Sequence, residues 1–251
     1  MNKTVPVKTA TRIAEIVEAL LELERASLSE LARHLDLADS TLHDHLTTLE
    51  SLGYVVRDDK KYRVSLRFLE VGEKVRNQLN VYQVADPEVS KLANETGEHA
   101  SLMIEENGMG VILVIAKGTD AVNLEAYAGR RVVLTANAPG KAILAHLPER
   151  RVERIIDQQG LPKYTEHTIT EREDLFEELA AIRERGYATD TEELVEGVKA
   201  ISVPVISRNR VQGALTVGGP AHRMEGELFE EELPNLLLRA SNVVELNLTH
   251  S

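Results

Sequence analysis

Residues 9–66 crowd three short amphipathic stretches and a pair of β-rich runs into about 60 positions, a density that few folds accommodate. Ile13, Ile16, Val17, Leu20 and Leu21 recur at helical spacing and predict a first helix over about 9–24. In SLSELARHLD, Ser27 and Glu30 form a capping box ahead of Leu28, Leu31, Ala32 and Leu35, which predicts a short second helix. A four-residue turn follows, with Asp39 or Ser40 as the expected cap of a third helix. That helix carries Leu42, Leu46, Leu49 and Leu52 and stops at Gly53. YVVRDDKKYRVSL then reads as a hairpin turning around Asp58, Asp59 and Lys60.

Three helices and a hairpin make a winged helix-turn-helix, whose third helix enters the major groove. Trihelical units also serve as protein-interaction modules, so helix spacing alone leaves both readings open. The hairpin decides for DNA, because Arg57, Lys60, Lys61 and Arg63 cluster where a wing straddles the phosphates. The third helix has no lysine or arginine. With Leu42, Leu46 and Leu49 facing the core, Ser40, Thr41, His43, Asp44, His45, Thr47 and Thr48 are left for the groove. Hydroxyls contact phosphates or bases and a carboxylate accepts from the cytosine amino group, so base reading does not require cations. The electrostatic share then falls to the wing and to Arg12, Arg25 and Arg33. His43 and His45, two apart on a helix, point to different faces and suggest no metal site.

Charge is distributed unevenly. Positions 1–80 hold 12 Lys+Arg against 13 Asp+Glu, which leaves 17 against 28 of the chain's 29 and 41 for the remainder. Two domains with different partners are implied. The net charge of -12 fits solubility alone, or a salt-rich cytoplasm in which the Debye length shrinks to about 3 Å and acidic surface hardly repels DNA. With no cysteine in 251 residues, disulfides, thiolate metal sites and cysteine nucleophiles are excluded. No apolar run approaches the roughly 20 residues of a membrane span, and MNKTVPVKTATR has no signal-peptide core, so a cytoplasmic location is expected.

Five segments in order resemble the IclR-type transcriptional regulators along nearly the whole length. LSELARHLDLADSTLHDHLTTLESLGYVVR is similar to that family's helix-turn-helix and YRVSLRFLEVGEKV to its strand and linker helix. LTANAPGKAILAHL, GYATDTEELVEGVKAISVPVIS and GALTVGGPAHR are similar to parts of its effector domain. The resemblance implies an α/β protein: a winged helix-turn-helix over 6–67, a linker helix over 68–80, and a GAF-like effector-binding domain with an antiparallel sheet over 81–251. It departs at Asp44, where many members carry arginine, which puts the usual contact in doubt and suggests another operator preference.

The second segment's own residues predict a hairpin turning at Asn107-Gly108, a further strand pair turning at Gly129, and a helix opened by Pro139. Amphipathic helices in LPERRVERIIDQQG and ITEREDLFEELAAIRERG follow, the second with Thr170 and Glu173 as a capping box. A final hairpin, VKAISVPVIS with RVQGALTVGG, precedes a long closing helix. No enzyme motif emerges. APGKA fails as a P-loop because Thr135 stands at the first required glycine and Ala142 follows Lys141, so Gly140 reads instead as a close-packing residue. His99, His146, His167 and His222 are scattered singly, and no catalytic residue, metal or cofactor is assigned. The alternative is a hydrolase with an accessory trihelical module, which no motif supports.

A binding domain fits better, with the helix start at Ala138-Pro139-Gly140 read as an anion site. The resemblance carries a small-metabolite pocket, for an organic acid or a sugar-derived catabolite, onto Ala138, Pro139, Asp190, Ala200 and Ser202. Asp190 is equally well explained as a loop cap. Leu66, Leu69, Val71 and Val75 suggest a linker helix packed against a partner copy. Double-stranded operator DNA, a small-molecule effector and a second copy, as homodimer or tetramer, are the expected partners.

Overall fold

The computed structural model describes residues 6–123 and 125–250. Lys3 of the charge tally, Leu124 of the expected Gly129 strand pair and Ser251 at the end of the second segment lie outside the described residues. The chain divides into two compact units, Met1–Val75 and Arg76–Ser251.

In the first unit α1 (Lys8–Glu22), α2 (Leu28–Leu35) and α3 (Asp39–Ser51) meet over Ile16, Leu20, Leu31, Leu42 and Leu46, all fully buried. At about 1.5–3 kcal/mol for each aliphatic side chain removed from water, this cluster is what holds three short helices together. The Ser27 box forms as expected: the Glu30 N–H donates to Ser27 Oγ at 3.3 Å and the Ser27 N–H to Glu30 Oε2 at 2.8 Å. Gly53, at φ +76°, ends α3 in a conformation that side chains resist. Strands β2 (Val55–Asp58) and β3 (Lys61–Val64) pair as the expected hairpin, with Asp58 opposite Lys61 and Asp59 at φ 56° in the turn. A two-residue strand, β1 (Ala26–Ser27), joins β3 from the other side and was not legible in so short a run. Helix α4 (Arg67–Asn77) buries none of its residues; Leu66, Leu69 and Val75 are 77%, 61% and 55% exposed, an unusual expense of apolar surface.

In the second unit, β4 (His99–Glu106), β5 (Met109–Lys117), β6 (Arg131–Val133), β7 (Ala188–Thr191), β8 (Val198–Ser207) and β9 (Arg210–Pro220) form an antiparallel sheet ordered β6-β5-β4-β9-β8-β7. One face packs on α5 (Asn80–Thr96) and α9 (Leu233–His250) through Ala85, Val89, Leu237 and Val244. The other carries α6 (Ala138–Ala145), α7 (Glu149–Gln159) and α8 (Arg172–Arg185) over Met103, Ile143, Ile155 and Leu179. Each strand therefore alternates between two cores, which is why Ile201, Val203 and Val205 on β8 belong to the first and Ala200 to the second.

Three expectations are corrected, and one helix lies outside them. α3 begins at Asp39 with Ala38 as its N-cap and no side-chain cap, so neither Asp39 nor Ser40 caps it. α8 has Glu171 at its N-cap without a side-chain bond, so Thr170 and Glu173 make no box. The strand pair at Gly129 keeps only β6; its other half is an irregular segment over the described residues. α5 is an unassigned helix, obscured by Pro87 in its interior, although Val81, Ala85, Val89 and Leu92 share its buried face.

Candidate nucleic-acid interface and ligand cavity

On α3 the core takes Leu42, Leu46 and Leu49, which turns Ser40, Thr41, His43, Asp44, Thr47 and Thr48 outward, with His45 half-buried. Thr48 donates its hydroxyl back to the Asp44 carbonyl at 2.8 Å. The Asp44 side chain is 89% exposed, and its nearest charged neighbour is His43, Nδ1 to Oδ1 at 3.9 Å. Asp44 lies beyond the first turn of α3, where the helix dipole has little hold on it.

The wing is less cationic than its composition. Asp58 Oδ2 accepts from Arg63 Nε and from Arg25, both at 3.0 Å, and the Arg63 hydrogen bond holds the Asp58 carboxyl below its ordinary range. Arg57 donates Nε to the Asp59 carbonyl at 3.1 Å and lies 5.5 Å over the Tyr62 ring. Arg12 pairs with Glu15 at 2.7 Å. Lys60 and Lys61 remain exposed and, among the described residues, without an ion-pair partner, as does Arg33. Arg57 and Arg63 thus shape the hairpin, while the two lysines are free to meet phosphate.

A cavity of about 410 Å³ opens on the α6 side of the six-stranded sheet. Its floor follows from strand register: Asp190 on β7 pairs with Ala200 on β8, Ala200 with Gly218 on β9, and Gly218 with His99 on β4. The adjoining row adds Thr216 and Ser101, which pair with each other. Ala200 and Gly218 keep the middle of the floor low. Met103, Ile112, Val132 and Leu194 make much of the wall apolar, and Asn137 and Pro139 at the start of α6 close one side. Arg130 brings the one cationic side chain that is always charged, and it has no ion-pair partner among the described residues.

Of the five expected pocket residues, Pro139, Asp190 and Ala200 border this cavity. Ala138 and Ser202 do not. Ala138 is fully buried in the core of α6, and Ser202 Oγ donates to the Leu215 carbonyl at 2.8 Å and lies 2.9 Å from Thr216 Oγ1. The helix start is also a poor anion site: Pro139 has no N–H, the Gly140 N–H goes to Asn137 Oδ1 at 2.8 Å, and the Lys141 N–H to the Asn137 carbonyl. Gly140 is required for packing, since a Cβ there would sit 2.1 Å from the Leu134 carbonyl oxygen.

Asp190 is both a loop cap and a cavity residue. Its Oδ1 accepts the Glu193 N–H at 2.7 Å while the side chain faces the cavity. Burial pushes its carboxyl up to about 7; the Glu193 carboxylate adds to the rise, and the Glu193 N–H, Lys141 and the Leu194 N–H oppose it. Lys141, 1% exposed, lies on an otherwise apolar helix with its Nζ 2.5 Å from Glu193 and 3.7 Å from Glu178. Thr165 and Thr168 donate to the Glu192 and Glu193 carbonyls at 2.7 and 2.6 Å, pinning the segment after β7 over the cavity. A lone lysine inside PGKAILA was the sequence signal for such a buried partner; Arg130, Asn137 and Thr216 gave none.

Among the described residues no group of three or more His, Asp or Glu side chains is placed to hold a metal, and no helix is long and apolar enough to cross a membrane.

Residues 73–245 match the family described as bacterial transcriptional regulator IclR, C-terminal, and residues 9–59 match the IclR helix-turn-helix domain. The "Probable HTH-type transcriptional regulator ArcR" of Halobacterium salinarum is 32% identical over 96% of this chain and 94% of its own length. Among solved structures, IclR of Thermotoga maritima superposes with a TM-score of 0.82 at 28% identity, covering 96% of this chain and 98% of that one. An IclR homologue of Microbacterium hydrocarbonoxydans, solved with 4-hydroxybenzoate, gives 0.80 at 26% identity, covering 95% and 100%.

Proposed function

The chain belongs to the IclR family of transcriptional regulators, proteins that bind DNA under effector control and are not enzymes, and from that premise we propose how its own residues divide the work. α3 lies in the major groove, with Ser40, Thr41, His43, Asp44 and His45 reading base edges and Thr47 and Thr48 at its flank. Lys60 and Lys61 supply phosphate contacts, and Arg57 and Arg63 hold the wing in shape for them. The observation that carries this division is the contrast between an α3 face without lysine or arginine and a hairpin whose Lys60, in the turn, and Lys61, at the start of β3, are exposed and form no ion pair among the described residues.

Two copies form a homodimer that reads a palindromic operator, covering each other's exposed Leu66 and, on α4, Leu69 and Val75. The cavity over Ala200 and Gly218 takes a small organic acid, its carboxylate at Arg130 and its body against the apolar wall. The relative solved with 4-hydroxybenzoate supports that ligand class. The effector acts by binding one arrangement of the dimer better than another. The absence of a spanning helix among the described residues and the regulator relatives support a cytoplasmic site of action.

The test is operator binding as a function of salt. Lys60→Ala with Lys61→Ala should weaken binding alike for all sequences and, with four lysines lost per dimer, reduce the slope of log K against log salt by about 4. A changed sequence preference with an intact slope would overturn the division of roles.

A further inference from the structure

Asp190 borders the cavity, and among the described residues no cation forms an ion pair with it. Lys141 on α6, whose charge acts on Asp190, is committed to Glu193 at 2.5 Å and lies 3.7 Å from Glu178 of α8, which also holds Arg185. Arg130 and Glu125 both border the same cavity from the loop before β6, Glu125 at its exposed edge. His99, at the far end of the floor row on β4, has Nε2 held 2.6 Å from the Val122 carbonyl oxygen. Glu192 is turned to the Gly197 N–H, and Lys199 on β8 reaches Glu225 at 3.8 Å. A carboxylate ligand entering beside an ionised Asp190 would bring a second negative charge into an apolar enclosure with a single arginine to answer both.

We infer that the cavity takes its organic acid as the anion together with one proton, and that Asp190 holds this proton as a neutral carboxyl donating a hydrogen bond to the ligand. The inference rests on the organic-acid reading of the site. The proton balance is simple: ionised Asp190, one proton from solvent and the ligand anion give a neutral Asp190 bonded to the bound anion, with no net charge added to the cavity. The Glu193 N–H fixes the orientation of the Asp190 carboxyl throughout. Burial already places Asp190 at about 7, so the proton is available near neutrality. Effector occupancy then reports pH as well as metabolite concentration.

Acetate and benzoate serve as probes, with uncharged benzamide beside them. Isothermal titration of the full chain from pH 6 to 8.5, in two buffers of different ionisation heat, reads affinity and proton uptake together. Both acids should bind about thirtyfold more weakly at pH 8.5 than at pH 6, with close to one proton taken up per site at the upper end. Benzamide should show no such fall, and Asp190→Asn should bind the acids independently of pH. Should that variant fail to fold, carbon-detected NMR of the wild-type chain replaces it: saturating benzoate must raise the titration midpoint of Asp190. Acid binding that is flat with pH in the wild type would overturn the inference and leave the proposed function intact. A slope that survives in Asp190→Asn but disappears in His99→Gln would also overturn it, assigning the proton to His99. If neither acid binds at pH 6, the organic-acid reading falls with it, while operator binding stands on its own test.

Discussion

Lys141→Met removes the ammonium from one of the most enclosed ionic groups in the second unit. Lys141 is 1% exposed and Glu193 5%, and their pair spans α6 and the segment after β7. Glu178 keeps Arg185 at 2.7 Å, so the loss falls on Glu193, whose Oε2 is already buried without a hydrogen-bond partner. Removing one member of a buried pair costs about 3–5 kcal/mol, because the remaining charge is left in a medium that cannot solvate it. At about 2–4 °C for each kcal/mol in a unit of this size, the melting temperature should fall by roughly 6–20 °C. Methionine fills most of the lysine volume, which keeps the cavity contribution small. Far-UV circular dichroism in urea and on heating, with Lys141→Met, Glu193→Leu and the double variant, separates the pair from its parts. The double variant should recover most of the stability lost in either single one. A Lys141→Met cost below about 1 kcal/mol, or a double variant whose losses simply add, would refute the view that charge compensation holds this segment down.

Gly140→Ala should destabilise by at least about 1–3 kcal/mol in the same assays, since its Cβ meets Leu134 backbone atoms at 2.1 and 2.5 Å that cannot move aside as a side chain would. Asp190→Asn should remove a pH dependence: the wild-type carboxyl, raised from 3.8 to about 7, contributes stability that is complete below about pH 4 and is lost as pH climbs through about 7. That loss amounts to about 4 kcal/mol, and urea titrations at pH 5 and 8 should differ less in the variant than in the wild type. Asp44→Asn should leave the melting temperature unchanged but relax preference at one base position of each half-site in an operator selection, and an unaltered selection profile would count against base reading. Leu69→Glu with Val75→Glu should convert the protein to monomer by analytical ultracentrifugation while leaving each unit folded, because α4 buries neither residue within its own chain.

The winged unit was readable because its signals are local. A capping box, three leucines at helical spacing, a glycine stop and a short basic hairpin each act within a few residues, and all of them stand in the structure. Asp39 and Ser40 are good capping types, but α3 has Ala38 at its N-cap and both residues already within the helix, where a side chain no longer caps it. The cavity was half readable. Pro139, Asp190 and Ala200 came through motif position, whereas Arg130 before β6, Asn137 at the start of α6 and Thr216 on β9 converge only when the whole sheet and α6 are assembled. Ser202 has the right residue type on the right face but spends its hydroxyl on neighbouring strands, and no one-dimensional pattern shows where a hydroxyl is already committed.

The alternation of β8 and β9 between two cores has a consequence for how such a protein changes over generations. Ala200, Thr216 and Gly218 line the cavity, while their chain neighbours Ile201, Leu215 and Val217 meet α5 and α9 on the opposite side. A substitution at the first set alters the shape and polarity of the cavity without entering the packing against α5 and α9. Selection can therefore retune which metabolite is sensed one position at a time, each intermediate remaining a folded protein with an unaltered reading head.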